Sequence, residues 1–240
     1  MRKSAVPTEQ DTAPEPVSLL AGLLALTVVS GLVDAVSYLG LGHVFTANMT
    51  GNVVVLGFAA AGAPGFSISA TVTSLGVFLV GAAAAGRVGR HITGRRRMLI
   101  TALAAEVILV GAAALITWLA GSEPGWRRLT VIAILAFAMG MRNAAVRRLG
   151  IRDLTTTVLT QTLTGLAADS RFAGGRDPRA GRRIGTVVCM AAGALAGALL
   201  FRYVNAALPL LISAVITAAT AAAFWVGPAA RASAMQGSTS

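Results

Sequence analysis

Acidic residues, histidine and cysteine are scarce in this chain: 9 Asp and Glu, two His and one Cys among 240 residues. A single cysteine excludes an internal disulfide, and Cys189 stands in an apolar run where core packing is its expected role. His43 and His91 are far apart, with no Cys or carboxylate at ligand spacing, so no bound metal is expected. Neither G-x-S-x-G nor H-E-x-x-H occurs, and the chain is not expected to be an enzyme or to carry a cofactor. Charged residues make up 12% of the chain against 55% hydrophobic, and mean hydropathy is +0.75. A soluble domain has no use for so much apolar surface.

What is abundant is apolar sequence in long runs. Six such runs, at 17–41, 65–86, 98–120, 129–141, 184–201 and 208–227, are bounded by charges. Most are long enough to cross roughly 30 Å of hydrocarbon as a helix rising about 1.5 Å per residue. Two further segments, 44–62 and 154–168, are apolar yet dense in Thr, Asn and Gln. The expected fold is therefore all-α: a polytopic helical membrane protein with six spanning helices and two re-entrant or broken polar segments. Residues 1–16 and 229–240 read as polar tails around one transmembrane domain at 17–228. The first apolar run contains Asp34 and outlasts a signal peptide, so it is read as a retained helix.

The net charge of +11 comes almost entirely from arginine, concentrated at 87–97, 142–152 and 171–183. No readable nucleic-acid module accompanies it, and no nucleic-acid partner is expected. Lys and Arg accumulate on the cytoplasmic side of membrane proteins, which makes the distribution a topology signal. Eight crossings divide the 20 basic residues evenly, whereas six crossings with two returning segments leave only Arg127, Arg128 and Arg202 outside. Letting only the second polar segment be non-crossing gives fifteen against five with the amino terminus outside. The six-span arrangement, with both termini cytoplasmic, has the strongest bias. Its basic loops also suit anionic lipid head groups.

The two polar segments belong to a repeat. AVSYLGLGHVFTANMTGNVVVL, residues 35–56, aligns with AVRRLGIRDLTTTVLTQTLTGL, residues 145–166. Val36, Leu39, Gly40, Thr46, Thr50 and Leu56 recur at Val146, Leu149, Gly150, Thr156, Thr160 and Leu166. Repeat one covers about 17–120 and repeat two about 127–228. Three crossings per repeat turn the second copy upside down, an arrangement that recurs in transporters with sites near the midplane. Non-helical backbone at that depth needs surrounding protein or a water-filled cavity, so the two polar segments are expected to meet at the centre.

At GLVDAVSYLGLGHVFTANMTGN, residues 31–52, and RNAAVRRLGIRDLTTTVLTQTLTGLAAD, residues 142–169, the sequence resembles the bacterial YoaK-type membrane proteins. The resemblance runs over nearly the whole chain between the tails. It implies a bacterial integral membrane protein of about six helices, in the cytoplasmic membrane, and names neither substrate nor active residues.

Asp34 lies inside an apolar run, where translocon-type scales charge an acidic residue about 2.5–3.5 kcal/mol. As a functional group it is a proton or cation site, because low dielectric disfavours the ionised carboxyl. As a structural group it sits near the membrane surface, close to Gly40 and Gly42 where the helix would end. Asn48 and Asn52 are four apart and so share a helix face, as do Thr46 and Thr50 on a neighbouring one; Thr157, Gln161 and Thr164 form an i, i+4, i+7 row. Such rows can replace an ion's hydration shell, and they can equally join helices by hydrogen bonds worth about 0.6 kcal/mol each. Glu106 is either paired with an arginine or a second titratable site, and Gly193 and Gly197 form a GxxxG packing motif.

The favoured reading is a transporter or channel for a small solute or ion, with Asp34, Asn48, Thr50, Asn52, Thr156, Thr160 and Gln161 on the path. A membrane scaffold acting through basic cytoplasmic loops is the competing class. The lipid bilayer is the partner common to both.

Overall fold

A computed structural model of the chain describes residues 17–120, 125–149, 159–169 and 180–237, and is all-helical there. Eight helices follow in order: α1 (Val17–Gly40), α2 (Met49–Ala60), α3 (Ile68–Val88), α4 (Arg95–Ala120), α5 (Trp126–Leu149), α6 (Leu159–Ala168), α7 (Ala180–Tyr203) and α8 (Ala207–Gly237). Six of them are long and apolar enough to cross a membrane: α1, α3, α4, α5, α7 and α8. At 12 and 10 residues, α2 and α6 reach only about 18 and 15 Å, too short to cross.

The apolar run at 129–141 is itself too short to span, and its helix extends in both directions to 24 residues. That extension corrects the reading of Arg142 as part of a basic connection. Arg142 lies within α5 and is buried, whereas Arg147 and Arg148 form the last turn. Arg183, from the 171–183 cluster, likewise lies within α7 and is buried, while Arg152, Arg171, Arg176 and Arg179 lie outside the described residues.

The centre is built from α1, α4, α5 and α8, with α4 packed on both α5 and α8 and α1 packed on α8. Two tight crossings flank it, α1 on α7 and α3 on α5. Glycine makes both possible. Gly31 and Gly193 let the backbones of α1 and α7 touch at Met190 O and Val28 O, and Gly197 sits against Leu32 and Ala35. Gly81 and Gly140 do the same for α3 and α5 at Phe137 O and Phe78 O. Without a hydrophobic force between helices in lipid, such close backbone approach supplies the packing. The short helices lie outermost, α2 on α3 and α6 on α7.

The chain leaves α1 and enters α3 at the same end of the molecule. His43, in the left-handed region at φ 58°, bonds through Nδ1 to Gly65 O at 2.9 Å, and its ring packs against Tyr38 and Phe66. Those contacts offset the strain of a non-glycine residue at positive φ. Between these anchors the chain makes its excursion through α2 and returns. Arg148 closes the opposite end, donating to Gly86 O and Gly89 O at the end of α3.

This geometry predicts a labelling pattern in a Cys189→Ala background. Ala61→Cys, after α2, should react with an impermeant maleimide from the same side as Trp126→Cys, and Thr93→Cys from the other. Labelling of Leu39→Cys, at the end of α1, and Ala61→Cys from opposite sides would mean that the first polar segment crosses.

Candidate functional site

Asp34 stands four residues beyond Ser30, on the same face of α1. It lies six residues before Gly40, the end of that helix, about 9 Å down the axis. The loop after α1 nevertheless reaches it. Thr46 N and Ala47 N donate to Asp34 Oδ1 at 2.9 and 2.8 Å, so the break between α1 and α2 dips into the depth of the span. The carboxylate thereby meets the amino-terminal end of α2, where backbone N–H groups and the helix dipole both favour negative charge. Asp34 is 4% exposed and Thr46 fully buried; Asp34 Oδ2 and Thr46 Oγ1 have no hydrogen-bond partner among the described residues.

A second buried cluster lies one turn away on the same face of α1. Arg142 Nη1 on α5 donates to Glu106 Oε1 on α4 at 2.9 Å, and Nη2 donates to Ser30 Oγ on α1. Ser30 Oγ in turn donates to Leu26 O at 3.1 Å. Thr217 Oγ1 on α8 lies 3.5 Å from the same Glu106 oxygen, but its shorter bond, 2.9 Å, is to Ser213 O. We take the shorter as the real donation, which leaves Thr217 as a dipolar neighbour. Arg142, bonded to Ser30, thus stands one helical turn from Asp34 on that face of α1, and the two carboxyls and the guanidinium form a group of buried charges among α1, α4, α5 and α8 and the α2 entry.

Asn52 is fully enclosed and its amide is spent on bracing. Oδ1 accepts from Phe45 N at 2.8 Å, while Nδ2 donates to Phe45 O at 2.6 Å and to Ser74 Oγ at 3.1 Å. Ser74 Oγ donates to the same carbonyl at 2.6 Å. The loop, α2 and α3 are locked together by these bonds. Asn48 does not share a helix face with Asn52, because α2 begins at Met49 and Asn48 caps it, accepting from Gly51 N at 3.4 Å. On α6 Thr162 is the buried residue, and Asp169 after it pairs with Arg183 of α7 at 2.8 Å.

The expected path residues are thus not gathered in one cluster. Asp34 and Asn52 are enclosed, with Asn52 bound to the loop that Asp34 holds. Asn48, Thr50, Thr160 and Gln161 are exposed, and Thr156 and Thr157 lie outside the described residues. Of the two readings of Glu106, the arginine pairing is what forms. Sequence reasoning missed Arg142 as a core group and Ser30 and Thr217 as its neighbours. The available signal was an arginine 13 residues after Leu129, within reach of a span that still needed length.

A family model described as "Protein of unknown function (DUF1275)" matches residues 22–223. A relative from Bacillus subtilis (strain 168), the UPF0700 transmembrane protein YoaK, is 36% identical over 164 residues, covering 66% of this chain and 69% of that protein. No solved structure matches. With six apolar helices of spanning length and a family match over most of its length, this chain belongs to the DUF1275 family of multi-pass membrane proteins.

Proposed function

We propose that the protein is a transporter or channel for a small solute or ion in the bacterial cytoplasmic membrane, working at the buried charges between α1, α4, α5 and α8. One observation carries this reading: Asp34, Glu106 and Arg142 are all buried inside spanning helices. Ionisable groups are costly at that depth and mark ion and substrate pathways there. A broken segment whose helix terminus reaches the same carboxylate adds to it, since discontinuous helices build midplane sites in transporters.

Inverted repeats are part of the proposal. Exchanging α1–α4 with α5–α8 carries the α1–α7 crossing onto α5–α3, α4–α5 onto α8–α1, α2–α3 onto α6–α7, and α4–α8 onto itself. The glycine contacts follow the same exchange, and Asn52 and Thr162, buried on α2 and α6, are 110 residues apart, the spacing of the repeat. Asn48 and Thr50 in one copy and Thr156, Thr160 and Gln161 in the other then serve as polar flanks, with Asn52 as a brace. Arginines at the ends where α3 and α5 finish and α4 and α7 start support a cytoplasmic placement of that face and of both termini.

The test is a thermal-shift screen of the purified full-length chain against small polar and ionic solutes, followed by flux in reconstituted vesicles. A true solute at 100 times its Kd should stabilise the fold by about 2.7 kcal/mol. Binding that Arg142→Met abolishes, together with flux, is the expected result. A chain that carries no solute and instead binds a cytoplasmic protein through its basic loops would be the scaffold.

A further inference from the structure

We infer that the buried network carries a single exchangeable proton on Asp34 Oδ2, which makes a proton, and no metal cation, the ion of the proposed transporter. The inference rests on the reading of Asp34 as an ion site and gives that ion its identity.

Charge counting comes first. Asp34 and Glu106 are two acids at depth, and Arg142 is one base. The other buried arginine, Arg183, is at the start of α7 and pairs with Asp169. With both central carboxyls ionised, the network holds one uncompensated negative charge away from water, an arrangement that proteins relieve by neutralisation. A proton on Asp34, a proton on Glu106, or a bound metal cation would each cancel it.

Geometry chooses among the three. Glu106 has the direct ion pair with Arg142, which favours its charged form. Asp34 has no such pair; the backbone N–H groups of Thr46 and Ala47 both donate to Oδ1, and the N–H of Asn48 also faces the carboxyl. A carboxylic acid divides its oxygens in that way, with a carbonyl oxygen that accepts and a hydroxyl that donates. Oδ2 has no partner among the described residues, and neither has Thr46 Oγ1 on the residue whose N–H holds Oδ1. A proton on Oδ2 turns that atom into a donor for an acceptor such as the Thr46 hydroxyl. A hard metal cation needs several oxygens around it, whereas a proton needs only the one unpartnered atom, Oδ2.

Tyr38 follows Asp34 by four residues on the same face of α1. On the elements packed against α1, Arg142 of α5 acts electrostatically on Asp34. Arg127, Arg128, Arg147 and Arg148 of α5, and Arg182, Arg183, Arg202 and Tyr203 of α7, lie near the helix ends; α7 also carries Cys189, and α8 has no titratable residue over 207–226. His43 on the following loop is engaged with Gly65 O. The step is a simple association: Asp34 carboxylate plus one proton gives the acid, an O–H bond forms on Oδ2, and no electrons change hands.

Infrared difference spectroscopy on the full-length protein in phosphatidylcholine vesicles reads this without any solute. In potassium buffer, raising the pH should remove one buried carboxylic-acid band. That band should be absent in Asp34→Asn, unchanged in Asp169→Asn, and lost at lower pH in Glu106→Gln, where Arg142 is released to favour the Asp34 carboxylate. Should Asp34→Asn fail to insert, Thr46→Val keeps the acid and should shift its band by removing the nearby hydroxyl. A wild-type chain with no such band overturns the inference. So does a band that survives in Asp34→Asn or ignores Thr46→Val, or a carboxylate signal that answers to sodium at fixed pH and not to protons. A titrating Asp34 in a chain that moves nothing would sink the transporter and leave this site standing, while solute flux with a silent Asp34 would do the reverse.

Discussion

Replacing Arg142 with methionine is expected to cost the folded protein about 3–5 kcal/mol, because removing one partner of a buried pair strands the other. Here the stranded charge is that of Glu106. Glu106 loses its 2.9 Å ion pair and Asp34 loses the cation that acts on it, while Ser30 Oγ loses its donor. Glu106→Gln should cost less, since the amide oxygen still accepts from Arg142 and Asp34 remains to supply negative charge. Asp34→Asn should also be milder, because its carbonyl oxygen still accepts from Thr46 N and Ala47 N and the Arg142–Glu106 pair is intact. The double variant Asp34→Asn, Glu106→Gln leaves Arg142 with no counter-charge and should fall well beyond the sum of the two. Contacting members of one network are where such coupling of about 0.5–3 kcal/mol arises. Unfolding midpoints in mixed detergent micelles measure all four chains, and strictly additive losses would show that Asp34 and Glu106 do not share Arg142.

The network also marks the boundary of what could be read from residues in order. Hydropathy finds spans because lipid demands a fixed apolar length, so α1, α3, α4 and α7 were legible nearly to their ends and α8 over its apolar part, beyond which the helix runs on to Gly237 through residues read as a tail. That Asp34 needs a partner was legible for the same reason; that the partner is the backbone of the first polar segment, and that the carboxyl is buried there instead of lying near the membrane surface, was not. Arg142 was not. Its neighbours Arg147 and Arg148 make the stretch look like a basic connection, and its burial depends on a glutamate 36 residues away on another helix. Nor was the role of Asn48 and Asn52. An i, i+4 face exists only if the helix already runs at Asn48, and the hydrogen bonds of Asn52 to Phe45 and Ser74 require α3 to lie alongside. Periodicity reports which residues share an element, and only the packing of α2 on α3 decides what that element presents to its neighbours.

The second large effect is expected at the helix crossings, where a methyl group has nowhere to go. A Cβ at Gly140 would strike Phe78 O and one at Gly193 would strike Val28 O, both backbone atoms that no rotamer change can move aside. Overpacking costs about 1–3 kcal/mol when side chains can yield, so Gly140→Ala and Gly193→Ala should lie at the top of that range. The corresponding leucine variants should not accumulate in the membrane. Gly57, Gly76 and Gly111 meet nothing nearby, and alanine there should be neutral or stabilise by about 0.5–1 kcal/mol through helix propensity. The comparison separates crowding from a general intolerance of substitution. It also probes the repeat, since the α3–α5 and α1–α7 crossings are exchanged by the proposed pseudo-symmetry and should suffer alike. Detergent unfolding curves of the five alanine variants provide the test. Should Gly193→Ala be as stable as the parent while Gly140→Ala is crippled, the two crossings are not equivalent and the inverted-repeat reading loses its strongest packing argument.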